Sequence, residues 1–343
     1  MPTIRDVAKL AGVSRSTVSL VLNGSPRVKE ETRQIVKDVI QRIDYVPNNS
    51  ARSLNSRTMN SLGIIVMIEH EAYGRYDAAS VTSLFSHDVT TGISRELADT
   101  DYSVVIEQFC FEENSGELPK IIKARRVDGA FIVGGFYNDK FIDKLIEKKI
   151  PIVIVGGKKE KLVDSVIPDP EKGVYLASKH LLETGHKRIC LVNSPPVYRS
   201  SYQRISGMER SLQGYEHTAT LSMATCEHNT AESGYVAIKG MWSDSVAPDG
   251  IIAANAPIAS GILHFLFEKG LRVPEDVSLI THEDSILSGH AVPALTAINT
   301  QKEYMGEMAA RLLLKRLRNP QKEVESLISE PFFVSRDSVK TRY

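Results

Sequence analysis

The chain has 343 residues, 42% of them hydrophobic, and 42 Lys or Arg balance 42 Asp or Glu. That length suggests about two domains of ordinary globular composition, and no apolar run is long enough to span a bilayer, which excludes a membrane-embedded function. Cys110, Cys190 and Cys226 are odd in number and far apart, which excludes a disulfide framework or a close-set metal cluster. They read as buried small apolar residues. With no N-terminal signal pattern the expected location is the cytoplasm, and neither metal nor cofactor is expected.

The zero net charge is unevenly spread. Residues 1–60 carry ten Lys or Arg against five Asp or Glu, and the rest carry 32 against 37, so a segment of net +5 sits on a body of net −5. Such asymmetry suits a head that meets a polyanion.

In chain order, Thr3 to Ser19 reads as two short helices joined at Gly12. Val7, Ala8, Leu10, Val13, Val18, Val21 and Leu22 supply an apolar face. Ser14 is a good N-cap for the second helix, because its hydroxyl satisfies an orphan backbone N–H. Asn23-Gly24 stops that helix. A third amphipathic segment follows, with Ile35, Val36, Val39, Ile40 and Ile43 at helical spacing. Three helices of this size close one small core, and a helix-turn-helix of this form places its second helix in the DNA major groove.

From Leu62 onward short apolar runs alternate with amphipathic stretches. The expected strands are 62–68, 102–107, 129–133 and 151–155, then 188–192, 250–254, 277–280 and 296–299. The helical patterns between them include 87–100, 170–184, 202–212 and 258–269. Strands alternating with helices imply parallel sheets covered on both faces, with ligands outside the carboxyl ends of the strands. Gly134-Gly135 and Gly156-Gly157 close strands as turns. No nucleophile elbow, phosphate loop or metalloprotease motif occurs in the sequence, so an enzyme is not expected.

The co-occurrence of Asp6-Val7-Ala8, Ala11-Gly12-Val13-Ser14, Ser16-Thr17-Val18-Ser19, Val21-Leu22-Asn23-Gly24, Tyr45-x-Pro47-Asn48 and Ala51-Arg52-Ser53-Leu54 resembles the lactose-repressor (LacI) family of bacterial transcription regulators. Looser matches continue through Asp164-Ser165-Val166, Gly185-His186-x-x-Ile189, Arg204-x-x-Gly207, Ala254-Asn255 and Gly270 to Ser278, so the resemblance covers about residues 3–338. It implies an N-terminal all-α helix-turn-helix DNA-binding domain at 1–47. A hinge helix and linker would follow at 48–60. An α/β periplasmic-binding-protein-like effector and dimerisation domain would fill 61–343. That last part would be two doubly wound parallel-sheet subdomains, about 61–163 with 295–322 and about 164–294 with 323–343, so the chain would cross near Asp164, Leu295 and Glu323.

In the head, Arg15, Ser16 and Leu20 project from the recognition helix. Arg can read guanine bidentately or hold phosphate, Ser reads either kind of edge, and Leu touches only a thymine methyl. Thr3, Ser14, Thr17, Ser19 and Asn23 complete the expected backbone-positioning set. The segment at Ala51 is too short to be a stable helix alone. The resemblance implies that it folds on DNA and wedges Leu54 into the minor groove.

For the cleft, the resemblance points to Phe85, Ser86, Arg204, Asn229, Asn255 and Glu283. Arg204 and Asn255 match ligand positions in kind, and Glu283 stands where Asp is usual. Ser86 and Asn229 fall where stacking aromatics are common, and Ala256 where an acid commonly follows Asn255. These departures suit a hydroxyl-rich effector, a sugar or sugar phosphate, better than a purine. The stretch from Glu69 to Ser80, with Tyr73 and Tyr76, reads either as a lid at the cleft mouth or as an extended surface loop. The resulting expectation is a homodimeric repressor of carbohydrate-utilisation genes that binds a near-palindromic operator and responds to a small ligand. A global regulator controlled by a partner protein, or a sugar receptor without a DNA role, are the alternatives.

Overall fold

The computed structural model describes residues 2–22, 24–45, 58–69, 76–111, 117–135, 137–157 and 161–342, with backbone alone for Glu69 and 76–83. Residues 1–60 and 61–343 form two compact units. In the first, α1 (Ile4–Leu10), α2 (Arg15–Leu22) and α3 (Glu30–Arg42) enclose Val7, Ala8, Val18, Val21, Val36, Val39 and Tyr45. Gly12 turns the chain between α1 and α2 at φ +64°, a left-handed conformation that favours glycine. The Asp6 carboxylate reaches back to the Thr3 backbone N–H at 2.8 Å and its hydroxyl at 2.7 Å, which closes the first turn of α1.

Two expected core residues, Leu10 and Ile35, are instead each 51% exposed. At about 100° per residue Leu10 lies about 60° outside the arc from Val7 to Ala8, and Ile35 about 40° outside the arc from Val36 to Val39, each on the edge of its apolar stripe.

The second unit contains, among its described residues, two six-stranded sheets. The first runs β2 (Ser103–Phe111), β1 (Ser61–Glu69), β3 (Gly129–Val133), β4 (Ile152–Val155), β5 (Asp164–Pro168) and β11 (Ser326–Ser329). The second runs β7 (Thr220–Thr225), β6 (Arg188–Asn193), β8 (Gly250–Ala253), β9 (Ser278–Thr281), β10 (Thr296–Asn299) and β12 (Phe332–Val334). Apart from β12, which pairs antiparallel with β10, the ladders are parallel.

Helices cover both faces of each sheet. The first is sandwiched by α4 (Tyr76–Leu97) and α12 (Lys302–Arg318) on one side, with α5 (Lys120–Lys123) and α6 (Asp139–Glu147) on the other. The second lies between α7 (Pro170–Glu183) with α8 (Arg199–Ser211) and α9 (Ala231–Met241) with α10 (Ala256–Glu268); α11 (Ile286–Gly289) adjoins α10.

Four differences from the sequence reading have physical causes. The helix expected from residue 87 begins at Tyr76, so part of the anticipated 69–80 loop is helical; residues 70–75 lie outside the described residues. β5, β7, β11 and β12 were not anticipated, because they are short or half-exposed and lack a continuous apolar run. The crossings between subdomains fall after Pro168, Asn299 and Ser329 rather than near 164, 295 and 323, since β5, β10 and β11 complete their sheets first. Asp164 can open a buried strand because Arg316, Lys322 and the Glu325 backbone N–H all hold its carboxylate. Lastly, Cys110 is only half-buried, on the edge strand β2, whereas Cys190 and Cys226 are buried, with thiols pushed up by burial to about 11 and about 12.

Candidate functional site

In the head, α2 presents Arg15, Ser16 and Leu20 on its outer face. Ser14 caps it, its Oγ accepting from the Thr17 backbone N–H at 3.1 Å and lying 2.7 Å from the Ser16 hydroxyl and 2.9 Å from that of Thr17. Arg15, Ser16 and Leu20 are exposed, while Thr17 and Ser19 are half-buried. The Arg15 guanidinium makes no ion pair or hydrogen bond with the other described residues, which leaves its donor fork free for a base edge or a phosphate. Thr3 is exposed, but its side chain is engaged by Asp6, whose carboxyl that contact holds below the usual carboxylate range. Asn23, Ala51 and Leu54 lie outside the described residues.

In the second unit each sheet has the strand order 2-1-3-4-5 over its first five strands, so each has a switch point where the connections reverse: β1/β3 and β6/β8. Three cleft candidates gather at the carboxyl ends of the second sheet. Asn255 follows β8 and caps α10, its Oδ1 accepting from the Ile258 N–H at 2.9 Å while its Nδ2 donates to Asn229 Oδ1 at 2.9 Å. Glu283 follows β9 and accepts from the Ala256 N–H at 3.2 Å. Arg204, on α8, donates to Ser194 Oγ just beyond β6 and to Ser200 Oγ, both at 3.4 Å. Its Nε is enclosed with no hydrogen-bond partner among the described residues. Burial lowers the Arg204 pKa to about 10, a loss that the Glu283 carboxylate partly offsets, so the guanidinium stays charged at neutral pH.

Phe85 and Ser86 belong to the first subdomain. Phe85 packs against the Gly156 backbone, where an added Cβ would meet its ring Cζ at 2.5 Å, and Ser86 is buried. One turn further along α4, Asp88 reaches the second subdomain indirectly: Lys302 Nζ lies 2.8 Å from its Oδ2 and 3.0 Å from Glu283 Oε1. Lys302 and Asp88 were not anticipated. A lone Lys opening an amphipathic helix reads as solvated, and only its place directly after β10 hinted otherwise. Glu283 is therefore already engaged by Lys302 and Ala256.

His282 is buried with its imidazole against Gly173, and its Nε2 has no partner among the described residues. Burial, and secondarily the Arg204 charge, push it down to about 3, so it is neutral across the physiological range. Among the described residues no helix is long and apolar enough to cross a membrane.

A helical head with a free arginine on its second helix, carried by a two-sheet body with polar groups at a switch point, defines a DNA-binding regulator with a ligand cleft. Residues 3–48 match the family model for bacterial regulatory proteins of the lacI family, and residues 178–339 match a periplasmic binding protein-like domain. A relative named HTH-type transcriptional repressor PurR, from Haemophilus influenzae, is 31% identical over 345 residues and spans 99% of each chain. A solved complex of the transcriptional regulator CelR with cellobiose is 28% identical, covers 98% of this chain and 100% of its own, and superposes with a TM-score of 0.69. The lac repressor dimer bound to operator and an anti-inducer shares the fold, with a TM-score of 0.80 at 23% identity over 99% of each chain. The chain belongs to the lacI family of bacterial regulatory proteins and is a sequence-specific DNA-binding transcription regulator.

Proposed function

We propose that this protein is a cytoplasmic, homodimeric repressor of carbohydrate-utilisation genes whose operator affinity is set by a sugar or sugar phosphate in the cleft. The observation that carries the reading is the cluster at the second switch point. Arg204 presents a guanidinium whose Nε has no partner among the described residues and whose other contacts are long, beside the Asn229–Asn255 pair. Five donors with so few acceptors call for a ligand rich in acceptor oxygens, because a buried donor left unpaired costs about 1–3 kcal/mol. Ser86 and Asn229 offer no aromatic face, so a flat purine gains little there. The cellobiose bound by the CelR relative is of the same chemical class as the proposed ligand.

The mechanism is a coupling free energy. A ligand that prefers one orientation of the two subdomains shifts that equilibrium and with it the affinity for operator. Arg15, Ser16 and Leu20 would read bases, while Thr3, Ser14, Thr17, Ser19, Asn23 and Ala51 would position the backbone and Leu54 would wedge the minor groove.

The test is a thermal-shift panel on the full chain with cellobiose, ribose, glucose 6-phosphate, hypoxanthine and guanine. A ligand at about 100 times its Kd stabilises the folded state by about 2.7 kcal/mol. We expect a sugar or sugar phosphate to raise Tm and Arg204→Ala to abolish that shift. A rise with a purine alone would overturn the reading.

A further inference from the structure

Lys302 is 6% exposed, and its ammonium is shared by two carboxylates that belong to different subdomains. Asp88 sits on α4, packed with α12 on the first sheet. Glu283 follows β9 of the second sheet, and its other oxygen is held by the first N–H of α10. Lys302 stands at the first position of α12, where the chain has just left β10 and re-entered the first subdomain. We propose that Lys302 is the positioning residue that couples the cleft to subdomain orientation: with Asp88 and Glu283 it forms a charge bridge that holds the two subdomains in the arrangement described above.

The asymmetry of the bridge makes it directional. α12 and α4 cross so closely that a Cβ at Gly92 would overlap the Glu303 carbonyl, and one at Gly306 the carbonyl of Val89. Lys302 and Asp88 therefore move together, and a hinge rotation parts Lys302 from Glu283. Burial alone would lower the Lys302 pKa, but Glu283 and Asp88 together outweigh it and raise it, so Lys302 stays charged throughout the physiological range. Parting the pair leaves Glu283 enclosed with one backbone donor, a strongly disfavoured state unless a ligand or water replaces the ammonium. Arg204 is a second cation coupled to Glu283, so a ligand bound to Arg204 acts on the same carboxylate that the bridge uses. This inference needs no particular effector.

The experiment measures the distance between spin labels on bio-orthogonal residues at exposed Lys140, in the first turn of α6, and Glu232, in the first turn of α9. The three native cysteines are left intact, and labelled chain is diluted with unlabelled chain. Pulsed electron–electron resonance on the ligand-free protein should give one narrow distance population for the wild type and for Lys302→Arg. Lys302→Met should add a second population at a different distance. Glu283→Gln removes the same ion pair and serves if Lys302→Met does not fold. Distributions in the folded variants that superpose on the wild type, even with a lowered Tm, would show an ordinary buried ion pair and overturn the proposal. A sugar panel without binding would leave this result standing, and unchanged distances would leave the sugar reading standing.

Discussion

His282 shows at the level of one side chain how burial becomes pH dependence. Its imidazole is pressed on the Gly173 backbone beside Arg204, and its pKa falls to about 3 from an ordinary value near 6.5. Folding therefore favours the neutral ring. The stability this represents is whole above pH 6.5 and is lost as pH falls from 6.5 towards 3, by about 1.4 kcal/mol per unit once well below 6.5. Asp164 does not confuse the window. Its carboxyl, raised by burial but lowered further by Arg316, Glu325 and Lys322, gives up stability only below the ordinary carboxylate range, about pH 4. Urea midpoints at pH 7.5 and 5.5 should fall less for His282→Gln than for the wild type. The variant keeps a residual slope from His186 and His180, both also lowered by burial. Equal slopes would show that His282 is solvated or mobile.

Among elements, the crossing of α4 over α12 rests on Gly92 and Gly306, each meeting backbone of the other helix. Gly306→Ala should force the helices apart and destabilise the protein by about 1–3 kcal/mol, as overpacking a tight core does. Gly240→Ala in α9, where a Cβ meets nothing within 4 Å, should be neutral or stabilising by up to about 1 kcal/mol. Chemical denaturation of both variants checks the pair; similar midpoints would refute the close-contact account. The same distinction between local and tertiary causes explains what could be read in advance. The head was legible because helical period, the Gly12 turn and the Ser14 cap are local signals, and the central strands because burial on both faces makes them continuously apolar. β5 escaped notice because Asp164 at its start is made tolerable by Arg316, 152 residues away. Of the candidate cleft residues, Arg204, Asn229, Asn255 and Glu283 were singled out through family resemblance. Lys302 was not, since its two acids come from distant parts of the chain.

At the scale of the whole molecule, charge and symmetry govern how the protein meets DNA. The head's net +5 and the body's net −5 confine attraction for a polyanion to one end of the chain. Each phosphate neutralised by a head cation releases counterions, so affinity for any DNA falls steeply with salt. That term is blind to sequence. Direct base reading falls to the exposed face of α2, where the described residues offer Arg15, Ser16 and Leu20, too few groups to specify a site alone. Two copies related by a twofold axis double the base contacts and require matched half-sites. A site selected from random DNA by the full-length protein should therefore be near-palindromic. Footprinting at physiological salt should protect both halves equally, and Arg15→Ala should weaken that site by about 2–6 kcal/mol, roughly 30-fold or more, if Arg15 reads a base in each half, since two contacts of about 1–3 kcal/mol are then lost. The same variant should lose much less on random DNA, where only a phosphate contact is at stake. A single asymmetric half-site in the footprint would refute the symmetric dimer, and equal losses on both DNAs would reassign Arg15 to the phosphate backbone.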